Sequence, residues 1–142
     1  MRRIEHIEKV ADLKSLTVGD LMETTVRTCA PDVRAVDVAR RLSEADVGSI
    51  PIVDEDRTLR GLITESDLLD LVLAGKDLRA VTAVDIMTRK VVTVTADMPI
   101  LELMNLFQDR FLIRVPVVKG MTLIGLVARR DTLYGCLKAL VE

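Results

Sequence analysis

Apolar residues fall along the chain in short blocks whose spacing alternates between that of a helix and that of a strand. Ala35, Val38, Ala39, Leu42 and Ala45 recur at intervals of three and four, as do Ile100, Leu103, Met104 and Phe107. Such stripes predict two helices, each with one buried face. Near-continuous apolar runs follow, at residues 49–53 and 59–63, then at 113–118 and 123–127. Each pair of runs encloses a charged or glycine-bearing turn, which predicts two hairpins. Closing helices are predicted over 65–73 and 129–140. Short extended pieces, Val26-Arg27-Thr28-Cys29 and Val91-Val92-Thr93-Val94, precede the striped helices. Ile4, Ile7, Val10, Ala11 and Leu13 give residues 1–16 a helical pattern of their own, expected to pack on the rest as a cap.

The blocks repeat. A shift of 65 positions pairs Thr17 with Thr82, Asp20 with Asp85, Met22 with Met87, Thr28 with Thr93, Asp32 with Asp97 and Pro51 with Pro116. After a one-residue deletion the shift becomes 64. It then pairs Thr58-Leu59 with Thr122-Leu123, Gly61-Leu62 with Gly125-Leu126, and Asp67 with Asp131. The deletion falls in the hairpin turn, where a change of length leaves the strand faces undisturbed. The reading is an α+β chain with β-α-β-β-α written twice. Its expected divisions are an N-terminal helix (1–16), a first repeat (17–75) and a second repeat (76–142), joined by Ala74-Gly75-Lys76-Asp77.

Composition narrows the chemistry. The 142 residues are 49% hydrophobic with only two Phe, one Tyr and no Trp, so aliphatic side chains must build the interior. Twenty basic and 22 acidic residues leave a net charge of −2, which recruits neither nucleic acid nor an anionic membrane. With no long apolar run and a charged start, neither a membrane span nor a secretory signal is expected, and the cytoplasm is the default location. His6 is the single histidine, and Cys29 and Cys136 have no metal-ligand spacing. Neither a Gly-x-x-x-x-Gly-Lys loop nor a Gly-x-Gly-x-x-Gly turn is present. Catalysis, a catalytic cofactor and a bound metal are therefore not expected.

Three groups of residues carry a family resemblance. They are Val18-Gly19-Asp20-Leu21-Met22 with Ala83-Val84-Asp85-Ile86-Met87, Ser49-Ile50-Pro51-Ile52-Val53 with Arg114-Val115-Pro116-Val117-Val118, and Gly61-Leu62-Ile63-Thr64-Glu65-Ser66-Asp67-Leu68. In this order, twice over, they resemble a tandem pair of CBS domains across residues 17–140. The resemblance implies two repeats packed about a pseudo-twofold axis, leaving two clefts for AMP, ADP, ATP or S-adenosylmethionine. It also implies association into a homodimer. The family pattern Gly-x-x-Thr/Ser-x-x-Asp falls on Gly61, Thr64 and Asp67.

By resemblance, Ile63, Thr64 and Asp67 hold ribose and phosphate in a first cleft. Thr93, Arg114, Val115 and Pro116 of the other repeat hold the base there, with Arg114 available to a phosphate. A second, weaker cleft takes Thr28, Gly48, Ile50, Pro51, Arg130 and Asp131, with Ala128 in place of the hydroxyl residue. A strand running into a helix at residue 65 is also expected to offer free backbone N–H groups to an anion. Residues 1–81 hold 12 basic and 16 acidic residues, against 8 and 6 in 82–142, which favours the first cleft as the tighter one.

Each assignment has a plainer alternative. Thr64 with Asp67 is also an ordinary helix-capping box, Thr28 and Thr93 are good strand formers, and Arg130 is a plausible surface cation. The expected function is a regulatory module that senses an adenosine-type ligand and signals to an unidentified regulated protein. The alternative is a ligand-free dimerisation module. The helices of both repeats, through Ala35, Ala39 and Leu42 and through the apolar residues of 129–140, are the expected dimer surface.

Overall fold

The computed structural model of the chain describes residues 13–141. His6 and most of the expected N-terminal helix lie outside the described residues. What is described there is a single 3₁₀ turn, Leu13–Ser15, followed by the fully buried Leu16.

Six helices and four strands follow in the order α1 (Val18–Leu21), α2 (Ala35–Ala45), β1 (Ser49–Val53), β2 (Leu59–Thr64), α3 (Glu65–Leu73), α4 (Ala83–Ile86), α5 (Ile100–Arg110), β3 (Arg114–Lys119), β4 (Thr122–Ala128) and α6 (Arg129–Val141). β1 pairs with β2 and β3 with β4, each antiparallel. The α+β class and the long elements match the expectation. The extended pieces at 26–29 and 91–94 are shorter than a strand: each makes one parallel bridge, Cys29 to Ile52 and Val94 to Val117.

The repetition extends to backbone detail. Asp46 and Phe111, at equivalent positions, both end a helix in the left-handed conformation, with φ of 53° and 52°. Both hairpins shift register at equivalent places, between Ile52 and Val53 and between Val117 and Val118. The deleted residue is indeed a loop residue: β1 and β2 are joined by a charged loop, β3 and β4 by Gly120 and Met121 alone.

The chain divides into two compact units that differ from the linear repeats. The first is Arg27–Val91; the second combines Met1–Val26 with Val92–Glu142. The short helix of each repeat thus belongs to the other repeat's unit. In the first unit, α4 is anchored by Ala83 N–H donating to the Val33 carbonyl (2.7 Å), and Thr88 and Leu62 exchange two backbone bonds of 2.9 and 3.0 Å. In the second, Val18 N–H reaches the Met98 carbonyl (2.9 Å), and Glu23 and Leu126 exchange bonds of 2.8 and 2.9 Å.

Each unit has its own aliphatic core. Cys29, Ala35, Val38, Leu42, Ile50, Ile52, Ile63 and Leu68 form one. Leu16, Val18, Ile100, Leu103, Phe107, Val115, Val117 and Val127 are among those forming the other. Ala35 and Leu42, expected on a dimer face, are instead buried here because they lie on the stripe of α2 that faces β1.

Candidate functional site

The hairpin registers decide which candidate residues meet. Ser49 lies opposite Thr64 and Ile50 opposite Ile63, so β1 begins where β2 ends and α3 starts. Cys29 N–H donates to the Pro51 carbonyl (3.0 Å), which carries Thr28 to the same end of the sheet. The Gly48 carbonyl accepts the Glu65 N–H at 2.9 Å. Thr28, Gly48, Ile50, Pro51, Ile63, Thr64 and Asp67 are therefore gathered within the first unit.

The second unit repeats the arrangement. Arg114 lies opposite Ala128 and Val115 opposite Val127. Val94 N–H donates to the Pro116 carbonyl (3.1 Å), bringing Thr93 alongside, and Arg129 N–H donates to the Ile113 carbonyl (2.8 Å). Thr93, Arg114, Val115, Pro116, Arg130 and Asp131 form this second set. Residues that the resemblance distributes between two clefts thus stand as one set per unit, with Arg114 in the unit of Asp131. Ile50, Ile63 and Val115 are core residues with no side-chain surface to offer a ligand.

The start of α3 is a closed capping box. Thr64 Oγ1 accepts the Asp67 N–H at 3.2 Å, and Asp67 Oδ2 accepts the Thr64 N–H at 2.8 Å. Two of the first three helix N–H groups, those of Glu65 and Asp67, are therefore satisfied internally. This corrects the expectation of several free donors: only Ser66 N–H has no partner among the described residues. Asp67 Oδ1 likewise takes no hydrogen bond from a described residue, which leaves one carboxylate oxygen for a ligand.

At α6, Ala128 removes the box, and Thr132 Oγ1 instead donates back to the Ala128 carbonyl (3.0 Å). The Arg130 guanidinium lies over the Tyr134 ring, 5.4 Å from its centroid, a surface cation–π contact. Arg114 is half-buried. Burial pushes its guanidinium below its ordinary value, while the carboxylates of Asp131 and then Glu23 oppose that shift, and it remains protonated. Sequence reasoning missed Glu23, because its partner Leu126 is about a hundred residues away and no local pattern announces such a pairing.

Thr28 is also tied down, since Arg41 Nη1 donates to its carbonyl and approaches Cys29 Sγ, both at 3.3 Å. Burial pushes the Cys29 thiol up, against the opposing charge of Arg41, and burial likewise raises Cys136. Buried protonated thiols of this kind are inert. Among the described residues no group of three or more His, Cys, Asp or Glu could hold a metal ion. No described helix is long and apolar enough to cross a membrane.

The family model of the CBS domain matches residues 18–74 and again residues 83–136. The chain belongs to the CBS domain family. Both copies are matched, so it is a CBS pair. It is 37% identical over 123 residues to the uncharacterized protein MK0525 of Methanopyrus kandleri, covering 85% of this chain and 63% of that protein. The CBS pair thus spans less than two thirds of that relative. A crystal structure of CBSX2 in complex with AMP matches with a TM-score of 0.78 at 25% identity, over 87% of this chain and 97% of the other. The CBS domain pair of protein MJ0100, in complex with 5-methylthioadenosine and S-adenosyl-L-methionine, matches with a TM-score of 0.74 at 27% identity, over 83% and 97%.

Proposed function

We propose that this CBS pair is a regulatory module that binds an adenosine-containing ligand and passes its bound state to a partner protein, without catalysing a reaction. One observation carries the reading. An aspartate stands in the first turn of the helix after the hairpin in both units, at Asp67 and at Asp131. A reciprocal capping box accounts for the first, whereas at the second Ala128 has no side-chain oxygen to close one. A free carboxylate oxygen beside a strand edge suits the two hydroxyls of a ribose, as acidic residues do in dinucleotide sites. The AMP and S-adenosylmethionine complexes of similar CBS pairs support the same ligand class.

Isothermal titration with AMP, 5′-methylthioadenosine and S-adenosylmethionine tests this. Asp67→Ala is expected to weaken one binding event by roughly ten- to a hundredfold, the value of a charge-assisted hydrogen bond. Thr64→Ala serves as the comparison, losing about 1 kcal/mol of stability from the cap. Unchanged binding by Asp67→Ala would reject the assignment. Absence of any ligand-induced rise in melting temperature would favour the ligand-free dimerisation module.

The module is further proposed to be a homodimer. Leu69 and Leu133, at equivalent positions of the two closing helices, are 61% and 55% exposed, and Leu73 and Leu137 repeat the pattern. Apolar faces repeated in this way usually mark contacts. Light scattering is expected to give a dimer mass, reduced to a monomer by Leu133→Glu with Leu137→Glu. A monomer for the unaltered chain at high micromolar concentration would defeat the proposal.

A further inference from the structure

The two units differ in charge at equivalent positions around their aspartates, with the sign reversed at one of them, Glu65 against Arg129. Where the first unit has Ser49, Glu65 and Ser66, the second has Arg114, Arg129 and Arg130. The compact units as wholes do not show this contrast. Counted by unit, the first holds 10 basic and 12 acidic residues and the second 10 and 10, so the difference is local.

The local geometry of the first unit adds to the difference. Gly48 has no Cβ, and one built there would stand 2.7 Å from Glu65 Oε1. The exposed Glu65 carboxylate therefore stands over Gly48, where the Gly48 carbonyl takes the Glu65 N–H and Thr64 Oγ1 takes the Asp67 N–H. An anion arriving at this helix start meets two carboxylates and a single available N–H. In the second unit the residue equivalent to Gly48 is Ile113, an exposed aliphatic residue whose carbonyl accepts the Arg129 N–H. The helix there starts Arg129-Arg130-Asp131, and Arg114 lies opposite Ala128, the residue just before it.

Resting on the proposed adenosine-ligand reading, we propose that the two units divide such ligands by charge. The Asp67 unit takes one whose 5′ substituent is uncharged or cationic. The Asp131 unit takes a 5′-phosphorylated one. Glu65 is the specificity-determining residue of the first. Its carboxylate disfavours a phosphate and is compatible with a sulfonium or a thioether. Like charges a few ångströms apart near a protein surface shift affinity by roughly tenfold or more.

The test uses the full chain, with one site disabled at a time. In Asp131→Asn, titration is expected to give at least tenfold tighter binding of 5′-methylthioadenosine than of AMP. In Asp67→Asn the order should reverse. Adding Glu65→Arg to Asp131→Asn should turn the preference of the remaining site toward AMP, without changing the circular dichroism spectrum. A ratio of the two affinities that Glu65→Arg leaves unchanged, with both ligands still bound, overturns the charge division and leaves the adenosine-ligand reading standing. Binding of neither ligand by the unaltered chain overturns both. Glu65→Gln, which keeps size and removes charge, should move the ratio in the same direction as Glu65→Arg. Failure of Glu65→Gln to do so while Glu65→Arg succeeds would assign the effect to the added cation and reject the role of the Glu65 carboxylate.

Discussion

Phe107→Ala is expected to destabilise the second unit by about 3–5 kcal/mol, measured as a lowered midpoint of urea unfolding followed by circular dichroism. Phe107 is 2% exposed and is the largest of the fully buried side chains among the described residues. It sits on the inward face of α5 with Ile100 and Leu103, against Leu16, Val115 and Val127. Its neighbours are aliphatic side chains from several separate segments. They cannot all move inward to fill the space of a phenyl ring, so the cavity persists and adds to the lost transfer energy. Phe111, four residues on, supplies the control. It is 86% exposed and adopts φ 52° at the end of α5. Phe111→Ala should cost less than about 0.5 kcal/mol, and Phe111→Gly should be neutral or stabilising because glycine relieves the left-handed backbone. A loss below about 1 kcal/mol for Phe107→Ala would mean that the core is not organised around this ring.

Gly61→Val and Gly125→Val are expected to destabilise by about 1–3 kcal/mol or more, through overpacking rather than backbone strain. A Cβ on Gly61 would stand 2.6 Å from Met87 Sδ and 2.8 Å from the Thr88 carbonyl oxygen. One on Gly125 would stand 2.7 Å from Met22 Sδ and 2.8 Å from the Glu23 carbonyl oxygen. The methionines can swing aside. The carbonyls cannot, because Thr88 and Glu23 each exchange two backbone hydrogen bonds with the residue next to the glycine. Gly75→Ala and Gly120→Ala isolate the other effect. Both sit at positive φ with nothing within 4 Å of a new Cβ, so only a conformational cost of about 1–2 kcal/mol is expected. If the valine variants unfold no more easily than these alanine variants, the close approach of the two lead-in segments is wrong.

That second expectation changes the meaning of a motif. Gly61, Thr64 and Asp67 read together in the sequence as a ligand pattern. The structure divides the pattern by physical cause. Gly61 is small because the segment containing Met87 and Thr88 crosses the strand there, Thr64 caps α3, and only Asp67 retains an oxygen for something else. The sequence reading already held the cap and the ligand role of Thr64 and Asp67 side by side. It had no access to the crossing, because nothing near residue 61 refers to residue 87.

The same distinction runs through the molecule. Periodicity alone located the helices Ala35–Ala45 and Ile100–Arg110, the hairpins and the closing helices, because each is stabilised by hydrogen bonds and a buried stripe within a few residues. The repeat, the turn that absorbs the deleted residue and the position of Asp67 in the first turn of α3 were legible for the same reason. Tertiary structure alone decided that Thr17–Met22 packs with the second repeat and Thr82–Met87 with the first, that Glu23 pairs with Leu126, and that the Glu65 carboxylate lies over Gly48. Those outcomes rest on contacts between residues far apart in the chain. A local pattern records which face of an element is apolar, but not which distant segment will cover it.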